Sequence, residues 1–146
     1  MTKISIGIAG DHAGFDFKER LKSYLEEGGY EVKDYGTYSS ESADYPDYAH
    51  PLAEAVEKKV HLYGITLCGS GNGINMTANK HQGIRAALCW NKEIAELARL
   101  HNNANICSLP ARFVDYNLAK VIVDIFLNTE FEGGRHQRRI DKIPIH

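Results

Sequence analysis

The sequence predicts an α/β fold of the Rossmann-like kind, a three-layer sandwich in which helices flank a five-stranded parallel sheet. Five short apolar segments alternate with segments whose apolar residues recur at helical spacing, which is typical of βαβ units. The chain has 146 residues, 43% of them apolar and 25% charged, as expected for one domain with one core. No internal repeat, low-complexity tract or composition shift divides it, so we expect a single domain over 1–146.

The first half of the chain predicts three strands. Apolar residues cluster or alternate in three short segments, which are the predicted strands at 4–8, 30–35 and 64–68. Between them, apolar residues recur every three or four positions, which predicts helices that end near the glycines at 28–29 and the lysines at 58–59. The polar segment 37–44 resembles no regular element and is predicted to be the longest loop.

The second half completes the alternation. A short helix is predicted after the third strand, through Ala78, and apolar segments at 84–90 and 104–109 predict the last two strands. Helical spacing predicts one helix that carries His101 on its apolar face and another over 118–125. From 128 onward the tail is polar, strongly basic and hinged by glycines, so we expect it to become ordered only through contact with something else.

Charge and cysteine content limit the classes of partner. The formal net charge of -2 disfavours general binding to nucleic acid or to an anionic membrane, and no apolar run reaches the 18 residues of a membrane span. Cys68, Cys89 and Cys107 form no C-x-x-C pair, so reduced thiols in the cytoplasm are expected. Cys89 and Cys107 lie in apolar segments and are predicted to be buried core residues.

Polar residues follow three of the predicted strands. Asp11 and His12 follow the first, Cys68 ends the third and is followed by a glycine-rich loop, and Arg112 follows the fifth. Ligands bind outside the carboxyl ends of the strands in open parallel sheets, so these residues are candidates for one site. Asp11 and His12 have a second interpretation, as a cap for the first helix.

The glycine-rich loop comprises Gly69, Ser70, Gly71, Asn72 and Gly73. It does not match the dinucleotide fingerprint, because Ile74 occupies the place of the third glycine and the loop follows the third strand rather than the first. Its backbone N–H groups and the helix N-terminus that follows can hold an oxyanion or a phosphate, and the same partial positive charge favours a thiolate at Cys68. The alternative is a tight turn without chemistry.

Two further candidates lie outside the strand ends. His101, beside Asn102, is either a hydrogen-bonded core histidine or a general acid/base, and Arg135, Arg138 and Arg139 are either a solvated tail or a phosphate clamp. None of the seven histidines pairs with another histidine or a cysteine at ligand spacing, so no metal site is predicted.

Six segments, in order along essentially the whole chain, together resemble the type B ribose-5-phosphate isomerase family. They are Gly10-Asp11-His12-Ala13-Gly14-Phe15, Asp44-Tyr45-Pro46, Cys68-Gly69-Ser70-Gly71-Asn72-Gly73-Ile74, Ala78-Asn79-Lys80, Gly83-Ile84-Arg85-Ala86 and Gly133-Gly134-Arg135-His136-Gln137. The broader family also includes galactose-6-phosphate isomerase subunits and enzymes that act on allose 6-phosphate.

The resemblance implies a cofactor-independent isomerisation of ribose 5-phosphate and ribulose 5-phosphate through a cis-enediolate, in the non-oxidative pentose phosphate pathway. It implies a homodimer whose two subunits share each site, with the C-terminal tail docked on the partner. The resemblance implies that Cys68 is the base, that the N–H groups of residues 69–73 stabilise the enediolate, that Ser70 transfers the hydroxyl proton and that His101 opens the ring. It implies that the sugar is contacted by Asp11, Tyr45 and Asn102, and that the phosphate is bound by His12, Arg112, Arg135 and Arg139.

Two departures from the family pattern limit this transfer of roles. Ser70 stands where many members have threonine, which keeps the hydroxyl but loses the side-chain stiffness of a β-branched residue. Arg138 stands where a neutral residue is common, so the resemblance implies no role for it. Some relatives use a carboxylate base, and Cys68 indicates the branch with a thiol base.

Three alternatives stay open on the sequence. One is an isomerase of allose 6-phosphate or galactose 6-phosphate, because the pocket beside the loop 37–44 and Asn102 is not readable from one chain. The second is a hydrolase with Cys68 as nucleophile and His101 as base. The third is a phosphate- or nucleotide-binding module without catalysis. The sequence also leaves open whether the chain forms a dimer or a tetramer.

Overall fold

A computed structural model describes residues 3–145 and contains a five-stranded sheet. Its strands are β1 (Ser5–Gly10), β2 (Glu31–Asp34), β3 (Tyr63–Cys68), β4 (Ala86–Leu88) and β5 (Ile106–Pro110). They lie in the order β2-β1-β3-β5-β4, and every neighbouring pair is parallel. The predicted fold class is therefore confirmed.

Helices cover both faces of the sheet. They are α1 (Phe15–Glu27), α2 (Tyr45–Glu57), α3 (Asn72–Ala78), α4 (Lys92–Leu100), α5 (Tyr116–Asn128) and α6 (Arg135–Ile140). Residues of α1, α4 and α5 share one apolar cluster with the sheet, while residues of α2 and α3 share another. Side chains cap two of these helices, since Asn91 accepts from the N–H of Ile94 and Asp115 from that of Leu118.

The fourth strand is shorter than predicted. The sequence predicts a strand over 84–90, but β4 spans only Ala86–Leu88. The N–H of Ile84 donates to the carbonyl of His81 in a turn, so this buried residue packs without joining the sheet. At the free edge, the side-chain amide of Asn79 pairs with both backbone groups of Ala86, at 2.8 and 2.9 Å. A side chain thus blocks the point where the edge strand begins.

A buried lysine joins α1 to β2. Lys18 is fully buried, and its Nζ donates to Asp34 Oδ2 at 2.6 Å and to Glu19 Oε1 at 2.7 Å. The second carboxylate oxygen of Asp34 accepts from the N–H of Gly36 at 2.8 Å. Burying an ammonium group is costly unless it is paired, so these two carboxylates explain how the position tolerates lysine. The pair also fixes the start of the loop that leads to α2.

The basic tail becomes ordered in part on its own chain. Helix α6 lies within it, and His136 and Ile140 of that helix are buried. The N–H of Glu132 donates to the carbonyl of Leu100 at 3.0 Å, which fixes the tail against the end of α4. Docking on a partner subunit stays a prediction.

Candidate active site

The carboxyl ends of β1, β3 and β5 lie side by side, because β3 is the central strand of the three. Hydrogen bonds continue past the strand ends. The N–H of Asp11 donates to the carbonyl of Leu67 at 3.2 Å, and the N–H of Arg112 donates to that of Gly69 at 3.0 Å. The three strand ends that the sequence indicates therefore meet at one edge, which we call the thiol edge.

Cys68 is the last residue of β3 and lies at the centre of this edge. It is 4% exposed and packs in a small apolar cluster with Ala49, Ile74 and Tyr45. Cys89 and Cys107 are fully buried, as predicted for core residues. Cys89 accepts a hydrogen bond from the Cys107 thiol, and this bond, together with burial, raises the pKa of Cys107 well above its usual range. The Cys107 thiol is thus kept protonated, and Cys68 is the cysteine that adjoins the loop.

The glycine-rich loop leaves backbone donors available beside Cys68. Gly71 has a φ of +77°, and a Cβ there would lie 2.5 Å from Leu88 Cδ1, so both conformation and space require glycine. The Ser70 hydroxyl accepts from the N–H of Asn72 at 3.3 Å. Within residues 3–145, no protein acceptor takes the N–H groups of Gly69, Ser70 or Gly71. Such a set of unpaired donors can stabilise an oxyanion.

Tyr45 contacts the loop from the start of α2. A Cβ on Gly73 would lie 2.5 Å from the Tyr45 hydroxyl oxygen, so the phenol end occupies space that only a glycine leaves open. The same ring packs against Cys68. Tyr45 therefore lies beside both the thiol and the loop.

Asp11 and His12 fix the turns around the site. Asp11 Oδ1 accepts from the N–H groups of Ala13 and Gly14 at 3.0 and 3.2 Å, which closes a turn ahead of α1. The N-cap residue of α1 is Gly14, so the alternative interpretation of Asp11 as the cap of that helix is wrong. The Oδ2 atom of Asp11 has no protein partner among the described residues, so a second role stays open. His12 Nδ1 accepts from the N–H of Ala43 at 3.1 Å, which ties the long loop to the edge. This bond places the proton of a neutral His12 on Nε2, where it can be donated to a ligand.

Arg112 lies over the loop. A Cβ on Gly69 would lie 3.3 Å from both Cδ and Nη1 of Arg112, so the guanidinium group borders the backbone donors. A cation and unpaired N–H groups at one place suit a phosphate or an enediolate oxygen.

His101 and Asn102 lie at the amino ends of the strands, opposite the thiol edge. His101 is the C-cap residue of α4. The guanidinium of Arg99, in the last turn of that helix, is 4.9 Å from the ring of Tyr63, the first residue of β3. Cys68 ends the same strand, so at about 3.3 Å per residue the two edges are roughly 16 Å apart. We call this the histidine edge. One chain alone therefore does not bring Cys68 and His101 into contact with each other.

His101 belongs to a cluster that sequence spacing did not predict. Its ring stacks on that of His136 with centroids 4.2 Å apart and planes 15° apart. Glu132 Oε2 lies 3.8 Å from His101 Nε2 and 3.9 Å from His136 Nε2. Burial, followed by the nearby positive charges of His101 and Arg135, lowers the pKa of His136. Arg135 and Arg139, on the same helix as His136, also lie at this edge.

One chain thus divides the candidate residues between two edges. The thiol edge holds Cys68, the loop 69–73, Asp11, His12, Tyr45 and Arg112, and the histidine edge holds His101, Asn102, Arg135 and Arg139. Glu132 is a residue of this second group that the sequence did not single out, and its only sequence signal is a carboxylate four positions before His136. No helix in residues 3–145 has the length and hydropathy needed to span a membrane.

Comparison with known proteins identifies relatives over nearly the whole chain. Residues 6–143 match the family model described as Ribose/Galactose Isomerase. The chain is 46% identical to ribose-5-phosphate isomerase B of Escherichia coli, over 98% of this chain and 95% of that protein. A crystal structure of a ribose 5-phosphate isomerase from Thermotoga maritima superposes with a TM-score of 0.95 at 52% identity, covering 98% of this chain and 99% of that one.

A third similar protein was solved with a sugar phosphate. The structure of ribose-5-phosphate isomerase B from Mycoplasma genitalium contains bound ribulose 5-phosphate. It superposes with a TM-score of 0.93 at 44% identity, over 98% of this chain and 95% of that one.

Proposed function

The chain belongs to the ribose/galactose isomerase family, and on that premise we propose that it interconverts ribose 5-phosphate and ribulose 5-phosphate. The observation that carries the proposal is the thiol edge, where Cys68 adjoins three unpaired N–H groups and the guanidinium of Arg112. Isomerisation needs a base beside the carbon acid, hydrogen-bond donors that stabilise the oxyanion, and a group that binds the phosphate. This edge offers a group for each task.

Cys68 is the proposed base for the chemical step. Its thiolate removes the proton from C2 of the open aldose, the electron pair forms the C1–C2 double bond, and negative charge develops on O1. The N–H groups of residues 69–71 stabilise that charge, and each such donor contributes about 3–4 kcal/mol in comparable sites. The thiol then returns its proton to C1, while Ser70 moves the hydroxyl proton from O2 to O1. Atoms and charge balance without a cofactor.

A second subunit completes the proposed site. His101 is the proposed acid/base for opening the furanose ring, yet one chain places it at the histidine edge, the length of β3 (roughly 16 Å) away from the thiol edge. A homodimer that apposes the thiol edge of one subunit to the histidine edge of the other solves this separation. Asn102 then contacts the sugar across the interface, facing Asp11 and Tyr45.

Phosphate binding follows the same division. His12 and Arg112 supply donors from the subunit that holds the base, and Arg135 and Arg139 supply guanidinium groups from the other subunit. Arginine forks match phosphate oxygens in bidentate geometry, which suits a single small anion on a chain of net charge -2. The tail therefore has a proposed function beyond its packing on α4.

The test compares turnover of ribose 5-phosphate, allose 6-phosphate and galactose 6-phosphate by the wild-type chain and by Cys68→Ala. We expect the pentose phosphate to be preferred, and Cys68→Ala to lower kcat by about 10²–10⁴-fold with little change in KM. Cys89→Ala is the matched control, because it deletes another buried thiol away from the edge and leaves turnover intact. Equal or better use of a hexose phosphate contradicts the proposed substrate, and full turnover by Cys68→Ala contradicts the proposed base.

A further inference from the structure

We propose that His101, Glu132 and His136 form a binding site for a divalent transition-metal ion such as Zn²⁺, and that the bound ion inhibits the isomerase. The three side chains offer one ligand atom each, all within 4.8 Å of one another. We call them the metal cluster. The binding half of the proposal is independent of the proposed function, whereas the inhibition rests on the proposed role of His101.

The donor set matches zinc chemistry. Two imidazole nitrogens and one carboxylate oxygen are the ligands of zinc sites that keep a fourth position open for water or another ligand. The carboxylate oxygen lies 3.8 and 3.9 Å from the two Nε2 atoms. Ligands of one tetrahedral zinc ion, with bonds of about 2.0–2.1 Å, lie about 3.3 Å apart, so the carboxylate oxygen needs to approach each Nε2 atom by roughly 0.5 Å.

A buried nitrogen without a partner points into this cluster. His136 is 6% exposed, and its Nε2 has no hydrogen-bond partner within the part of the chain that the structure describes. Buried polar atoms are almost always hydrogen-bonded, so an unpaired ring nitrogen beside a carboxylate and a second imidazole indicates a missing ligand. A metal ion bound to Nε2 supplies that partner.

The surrounding backbone allows the side chains to close on an ion. The N–H of Glu132 is held by the carbonyl of Leu100, while its side chain is 49% exposed and free to turn. Gly133 and Gly134 follow with φ values of +75° and +61°, and a Cβ on either would meet no atom within 4 Å. Binding tilts the two rings out of their stack, so that both lone pairs point at one ion.

The charges around the metal cluster include some that favour a bound cation and some that oppose it. The cluster lies at the C-terminal end of α4, where helix carbonyls attract cations, and Glu132 adds a negative charge. Arg135 and Arg139 lie near His136 and oppose a cation. We therefore expect selectivity for ions that favour imidazole, such as Zn²⁺, over Mg²⁺ and Ca²⁺, which favour oxygen ligands.

Occupancy removes the group on which ring opening depends. An ion on His101 Nε2 takes the lone pair that would otherwise exchange a proton with the sugar. Inhibition is then reversed by a chelator and requires the metal cluster rather than the thiol.

The test titrates the chelator-treated full-length protein with Zn²⁺ by calorimetry and with Co²⁺ by visible absorption, and measures isomerisation in parallel. We expect one ion per chain, tetrahedral Co²⁺ absorption bands, and binding at least tenfold weaker in Glu132→Gln and His136→Ala. Glu132→Gln keeps the fold intact because its side chain is half-exposed. His81→Ala is the control, since His81 belongs to a separate hydrogen-bonded pair with His50.

Each outcome decides one half of the proposal. Unchanged zinc affinity in both cluster variants, or a loss in His81→Ala alone, overturns the site. Zinc binding at the cluster without loss of turnover overturns the inhibition and leaves the site standing. Absence of isomerisation in the metal-free protein contradicts the proposed function instead, and the Co²⁺ bands still report on the cluster.

Discussion

Two inactive variants of this chain should restore each other's activity when they share a dimer. Cys68→Ala removes the proposed base from the thiol edge, and His101→Ala removes the proposed ring-opening group from the histidine edge. In a single chain the two edges lie at opposite ends of β3, a length of roughly 16 Å, so the proposed site draws the two residues from different subunits. A hybrid dimer then has one site with both defects and one site with none.

The expected recovery follows from counting sites. Random exchange of equal amounts gives hybrids as half of all dimers, and one of the two sites in each hybrid is intact, so activity returns to about a quarter of wild type. Each parent alone retains at most about 1%, if the loss of a general acid or base costs 10²-fold or more. The mixture is therefore expected to exceed either parent by about 25-fold.

The assay measures ketose formation from ribose 5-phosphate before and after subunit exchange, with native mass spectrometry to quantify the hybrids. Cys68→Ala mixed with Ser70→Ala is the matched control, because both defects lie at the thiol edge and no hybrid contains an intact site. Hybrids present at half of all dimers with no gain in activity would refute the shared site. Recovery in the control pair would refute it as well.

Three further variants test the phosphate clamp, the loop and the alkaline stability of the fold. Arg139→Gln is expected to raise KM for ribose 5-phosphate roughly tenfold or more, because a charged hydrogen bond of about 1.5–3 kcal/mol is lost. The neighbouring substitution Arg138→Gln is the control and leaves KM unchanged. Equal effects of the two substitutions on KM in steady-state kinetics contradict the proposed phosphate contact of Arg139. Gly73→Ala puts a Cβ 2.5 Å from a tyrosine hydroxyl, so it should lower the free energy of unfolding in urea by about 1–3 kcal/mol and should also lower turnover. Gly28→Ala is the control, because its Cβ would come no closer than 3.4 Å to another atom and is tolerated. A hydrogen bond to a carboxylate of α5 raises the pKa of Tyr24 to about 12 from 10.0, so the folded state keeps a proton that the unfolded chain loses. Stability should therefore fall between pH 10 and 12 in the wild type and fall less in Tyr24→Phe; parallel melting curves for the two proteins would contradict this.

The thiol edge could be predicted from the sequence because it depends on local order. Each strand is short and apolar, and the residues that end it are the next few along the chain. Parallel strands bring those ends to one side whatever the detailed packing, so Asp11, Cys68 and Arg112 follow from the pattern alone. The glycine at 71 is likewise explained by the turn that it occupies.

The histidine edge could not be predicted in the same way. His101 and His136 are 35 positions apart, and their contact depends on how the tail folds back across the end of α4. Spacing rules for metal ligands compare positions along the sequence, so they do not register a cluster that forms only through the fold. Lys18 illustrates the same limit in the core, because its burial is tolerated only through carboxylates that tertiary structure brings to it.

A site divided between two edges links substrate binding to subunit association. Arg112 from one subunit and Arg135 and Arg139 from the other would gather positive charge at the proposed interface, and a phosphate group placed among them offsets their repulsion. A ligand that bridges two chains stabilises their complex by the same free energy by which association strengthens ligand binding. Sugar phosphate should therefore tighten the dimer, and dilution below the dimer dissociation constant should remove activity while each chain keeps its fold. Catalysis then requires the association of two chains, although each chain carries every proposed catalytic residue.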